Sequence, residues 1–112
     1  MQLLNVSAKT YIVIANSNAS IAKEKVRQAL NAVKRRKDYG TLYMLAIAWD
    51  EYEKAANKLY LAKCDVLPTI AFDSPSYDDI CKEISNAALL TVTTSNAAIA
   101  VRKAMKAYLD AL

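Results

Sequence analysis

Apolar residues fall along this chain in two arrangements, a helical spacing and short runs, and each predicts a different kind of element. Between residues 19 and 37 they fall three and four apart. Ala22, Val26, Ala29, Leu30 and Val33 form one stripe, with Lys23, Arg27, Asn31 and Lys34 opposite, the pattern of an amphipathic helix. Residues 41–63 repeat it with Leu45, Trp49, Tyr52, Ala56 and Leu59. Thr41 is placed to cap this second helix and Gly40 to end the first, so the pair reads as a hairpin turning at DYG (38–40). Asp50 precedes Lys54 by four residues, a spacing that supports an exposed ion pair.

Three shorter stretches are short runs without that spacing. TYIVIAN (10–16), TIAFD (69–73) and LLTVTT (89–94) are rich in β-branched and aromatic residues and have the length of strands. Each runs at once into a helix-start signal: SNAS, SPSYDD and SNAA. In SPSYDD, Ser74 is placed to cap, Pro75 takes the first helical position and acids fill the first turn.

The order is then strand, helix, helix, strand, helix, strand, helix. It predicts an α/β fold: a small, mostly parallel three-stranded sheet with helices packed on it, and MQLLNV (1–6) as a candidate edge strand. The alternative is an all-α helical bundle, in which 7–37 and 75–112 are long or broken helices and 65–74 is the one sizeable loop. A single glycine favours the bundle. The apolar VLPTIAF and the β-branched LLTVTT favour strands.

One hexapeptide is written almost twice, as SNASIA (17–22) and SNAAIA (95–100), with further matches at Lys25/Lys103 and Ala29/Ala107. Both copies read as strand-to-helix junctions where a serine oxygen caps new amides. Duplication of a β-α unit and convergence on a good helix start both remain open.

Composition narrows the function more by exclusion than by assignment. With 112 residues, 54% of them hydrophobic and 23% charged, the chain reads as one compact globular domain over 1–112. No charged N-terminal region leads into a long apolar run, and no unbroken apolar stretch approaches the ~20 residues of a bilayer span. The expectation is a soluble, cytoplasmic protein.

Histidine is absent, which excludes Ser–His and Cys–His nucleophile pairs. Neither GxGxxG nor GxxxxGK[ST] occurs. Cys64 and Cys81 stand apart without a CxxC and read as two reduced thiols. Asp73, Asp78 and Asp79 suit a helix start better than a metal. No catalytic residue, metal or cofactor is expected, and the chain reads as non-enzymatic.

Three surfaces are candidates for function. Helix 41–63 carries Leu42, Tyr43, Ile47, Tyr60 and Leu61 beyond its main stripe, so it is expected to be buried on two sides. That points to protein–protein contact, with a homo-oligomer as the leading expectation. The alternative is nucleic-acid binding by Lys23, Arg27, Lys34, Arg35, Arg36 and Lys37, the cationic stripe and end of the first helix, with Tyr39 and Tyr43 close by to stack on bases. The third is an anion or nucleotide site where Asn16, Ser17, Ser74 and Ser95 meet the carboxyl ends of the strands.

Overall fold

The computed structural model describes residues 2–112, with side chains from Lys9 onward. It consists of three long helices: α1 (Gln2–Arg35), α2 (Tyr39–Val66) and α3 (Pro75–Asp110), with a short 3-10 turn over Leu67–Thr69 between the last two. No strand occurs among the described residues. The α/β expectation is therefore overturned in favour of the all-helical alternative. Of the strand segments, TYIVIAN lies inside α1, LLTVTT inside α3, and TIAFD in the connection between α2 and α3. The residues of MQLLNV from Gln2 onward belong to the first turns of α1, and Met1 lies outside the described residues.

The reason is packing at helical spacing. In α1, Ile12, Ala15, Ala19, Ala22, Val26 and Ala29 alternate three and four apart, and all are buried or half-buried. The stripe thus runs straight through the supposed strand and its supposed cap. In α3 the same alternation holds from Tyr77 to Tyr108, with Ile80, Ala87, Thr94 and Ala98 buried along it. The threonines of LLTVTT meet their polar needs without leaving the helix. Thr91 Oγ1 donates to the Ala87 carbonyl (3.0 Å), Thr93 Oγ1 to Leu89 (2.9 Å) and Thr94 Oγ1 to Thr91 (2.9 Å). Burial of that face outweighs the β-branched preference for strand.

α2 is the centre of the bundle. Leu45, Ala48, Tyr52, Leu59 and Ala62 form one core cluster with Ala15, Ala19, Ala22 and Val26 of α1. Burial holds the Tyr52 phenol above its ordinary pKa. The other buried residues of α2, Leu42, Ala46, Ala56 and Lys63, lie further round the helix, toward α3. There Lys63 runs its stem along the interface and pairs Nζ with Glu83 at 3.4 Å. α1 and α3 each pack extensively on α2 and have almost no direct contact with each other.

The hairpin at 38–40 forms as predicted, but its residues trade roles. Asp38 is the N-cap of α2: its carboxylate accepts from the Thr41 amide (2.9 Å), and Thr41 Oγ1 accepts from the Asp38 amide (3.1 Å). Gly40 lies within the first turn of α2, and no residue in the described chain has positive φ. The second predicted start holds as read, with Ser74 capping the Ser76 amide (3.2 Å) and Pro75 opening α3. Pro68 falls in the 3-10 turn that follows α2, where its missing N–H ends the α-helical ladder.

Two substitutions test this packing. Ala56 is fully buried on α2, so Ala56→Leu overpacks the bundle and is expected to cost about 1–3 kcal/mol in thermal or urea unfolding. Gly40→Ala is expected to stabilise by about 0.5–1 kcal/mol, because an alanine fits helical φ and reduces the freedom of the unfolded chain.

Candidate interaction surfaces

Ion pairs on adjacent residues of α2 mark the level of both neighbouring helices. Glu51 pairs with Lys25 of α1 at 3.7 Å, and Asp50 pairs with Arg102 of α3 rather than with Lys54. These pairs are exposed and contribute little stability singly. They do show that Lys25 and Arg102 stand at one height in the bundle, on helices running in the same direction. SNASIA and SNAAIA therefore lie nearly level with each other. Both are mid-helix, not caps, so the junction role is overturned.

What the two copies share is a surface. Counting back from Lys25 at intervals of four and three gives Ile21, Asn18, Ile14 and Tyr11. Counting back from Lys103 gives Ile99, Asn96, Val92 and Leu89. All ten side chains are exposed. On α3, Leu89, Val92 and Ile99 are 65%, 56% and 49% exposed. The internal repeat is thus an apolar strip with a central asparagine, displayed outward twice.

Between its charged ends the α3 strip is free of charge. From Ile84 to Val101 there is no Asp, Glu, Lys or Arg on any side of the helix. By length and composition α3 is long enough and apolar enough to cross a membrane, and only 17% of its most apolar window is buried in the bundle. Sequence reading missed this because Ser, Asn and Thr break up every contiguous apolar run. The signal was the missing charge rather than the hydrophobic run.

The α1 strip borders a groove of about 410 Å3 against α2, lined by Tyr11, Ile14, Asn18, Lys58, Leu61 and Asp65. A smaller hollow of about 260 Å3 continues it past Ile21, Lys25, Glu51 and Lys54. Unlike the α3 strip, this groove carries charges of both signs along its wall.

The residues singled out on helix 41–63 divide by exposure. Leu42 is buried, Ile47 and Tyr60 are half-buried, and Tyr43 and Leu61 are exposed. The neighbouring Cys64 thiol holds the Tyr60 phenol above its ordinary pKa. Cys64 and Cys81 are both free and half-buried.

The cationic residues Lys23, Arg27, Lys34, Arg35, Arg36 and Lys37 are all exposed. Arg27 is paired with Glu24, and Arg36 with Asp38 at 3.0 Å. Beyond the turn, Tyr39 and Tyr43 are exposed and stack on each other with ring centroids 6.4 Å apart.

Asn16, Ser17, Ser74 and Ser95 are not gathered at strand ends, because no strand exists among the described residues. Asn16 and Ser17 lie in α1 and Ser95 in α3, leaving Ser74 alone at a helix start. Among the described residues no group of three or more His, Cys, Asp or Glu could hold a metal ion. Comparison with known proteins finds no matching family model, no similar curated protein and no similar solved structure.

The capping geometry gives the turn beside the basic cluster a defined pH response. The Thr41 amide and the nearby Arg36 hold the Asp38 carboxyl below its usual range. A lowered folded-state pKa contributes stability that is complete above the unfolded value of about 3.9 and is lost as pH falls through the lower folded value. Asp38→Asn keeps an acceptor at the cap and removes the titration. Its thermal midpoint is expected to stay near wild type at neutral pH and to fall less steeply than wild type toward pH ~2.

Proposed function

We propose that the protein is a non-enzymatic helical module that acts by protein–protein contact, and first of all by associating with itself. The observation that carries this reading is the outward face of α3, uncharged for five turns and studded with exposed Leu89, Val92 and Ile99. An isolated soluble helix face is ordinarily lined with charge, and a contiguous apolar strip on a small protein marks a contact surface.

Shape supports the same conclusion. The radius of gyration is 17.5 Å, against about 13 Å for a compact domain of this length. The accessible surface is 7709 Å2, against about 6,100 Å2 for a compact monomer of this mass. The difference is about twice the ~800 Å2 that each partner contributes to a standard protein interface, so this chain has surface enough for one. Both apolar sides of α2 are covered within the chain, so the contact is assigned to α3 rather than to Leu42, Ile47 and Tyr60.

A second reading rests on a separate observation: the exposed, stacked Tyr39 and Tyr43 adjoin a cluster in which Lys34, Arg35 and Lys37 have no ion-pair partner among the described residues. Cations beside aromatic rings suit single-stranded nucleic acid.

The two readings make separate predictions. Light scattering across a concentration series is expected to give a mass rising above the 12.4 kDa of one chain; a constant single-chain mass would contradict self-association. If the basic turn binds nucleic acid, fluorescence anisotropy with a labelled oligonucleotide should show affinity falling by orders of magnitude from about 50 to about 200 mM salt. Arg35→Gln with Arg36→Gln should then weaken it further, and unchanged binding by that variant would remove the basic turn from consideration.

A further inference from the structure

The α3 strip carries more information than its hydrophobicity, because its ends are charged and its middle is polar. Asn96 sits at the centre. Lys82 lies fourteen residues before it and Asp110 fourteen residues after, two heptads in each direction, so all three share one face of the helix. Both end residues are exposed, and neither has an ion-pair partner within the described chain.

We propose that α3 pairs with α3 of a second copy of this chain, antiparallel, about a two-fold axis passing beside Asn96. This rests on the self-association reading and specifies its geometry. In that register Lys82 of each copy meets Asp110 of the other, so one surface closes two ion pairs. Val92 falls between Ile99 and Ala100 of the second copy, and Leu89 lies under the aliphatic stem of its Lys103. The two Asn96 amides face each other across the axis, and each offers both a donor and an acceptor, so they satisfy one another.

A polar residue at the middle of an apolar seam is the device by which paired helices fix their register. A parallel, in-register pair is ruled out by the same residues. It would set Lys82, Lys103, Lys106 and Asp110 each against its own like charge. The pairing is isologous and closes on itself, giving a discrete dimer rather than a filament.

Length is adequate. Lys82 to Asp110 spans about 42 Å of helix at 1.5 Å per residue, along a face that α2 leaves uncovered. The α1 strip does not offer this match: the position fourteen residues after Asn18 is the uncharged Ala32, and the wall beside the strip carries Lys54 and Lys58.

Sedimentation equilibrium of the full chain and its variants tests the register, with far-UV circular dichroism as the check on folding. Asn96→Lys places two cations at the axis and is expected to weaken the dimer by about 100-fold or more. Lys82→Asp alone turns both end pairs repulsive and is expected to weaken it about tenfold. Adding Asp110→Lys to that variant recreates the pairs with reversed sign and is expected to restore the affinity to within about threefold of wild type. The restoration does not depend on Asn96→Lys remaining folded.

Wild-type association unmoved by Asn96→Lys and by the charge swap overturns the α3 pairing while leaving self-association through another face. A wild-type chain that stays monomeric overturns both. Co-flotation of that monomer with phosphatidylcholine–phosphatidylglycerol vesicles would then assign the uncharged face to lipid.

Discussion

The whole structure depends on one helix being covered twice. α2 offers one apolar side to α1 and another to α3, and the two outer helices gain almost nothing from each other. In a three-helix arrangement of this kind the central helix is the core, and each outer helix is stabilised only through the stripe it turns inward. The consequence is a long, slender molecule, 59 × 20 × 17 Å, whose outer helices retain broad faces toward solvent. Function, on this account, lies on those faces and not in a cavity.

The small residues at the contacts set the geometry. Ala15, Ala19 and Ala22 on α1 and Ala87, Thr94 and Ala98 on α3 let the helices approach α2 closely. Bulk is supplied by α2 itself, through Leu45, Trp49, Tyr52 and Leu59, with Trp49 and Tyr52 stacked 6.1 Å apart. An interface rich in alanine packed on larger side chains leaves many of the larger residues of α1 and α3, such as Tyr11, Ile14, Ile21, Leu89, Val92 and Ile99, pointing outward. That division explains how a chain with so much hydrophobic content has a modest interior and apolar strips on its surface.

Two of the three helices were legible in the sequence wherever the helical stripe was amphipathic with charge opposite it. Lys23 and Arg27 against Ala22 and Val26 marked α1, and the alternation around Leu45 and Tyr52 marked α2. The stripe failed as a guide where charge vanished: in 10–22 and 84–101 every side of the helix is apolar or weakly polar, and the local β-branched content of TYIVIAN and LLTVTT dominates a short window. Only the longer view, Ile12 to Ala29 or Tyr77 to Tyr108, shows the three-and-four alternation. The SNA words misled for a related reason. Ser and Asn are favoured at caps, but on these faces they are the polar spacing of an exposed apolar strip. The hairpin at DYG was readable from its residue types, while the exchange of roles among Asp38, Gly40 and Thr41 was not, since serine-like and aspartate caps use the same chemistry one turn apart. The doubled apolar content of helix 41–63 was also visible, although the sequence could not show that the second covering comes from α3 of the same chain.

Native-state hydrogen exchange followed amide by amide tests the central role of α2 most directly. The account predicts that the amides of Leu45–Ala62 exchange most slowly, through global unfolding, and that Thr91–Thr94 are protected as helix and open earlier together with the rest of α3. Fast, loop-like exchange over 89–94, or an α1 that outlasts α2, would contradict it.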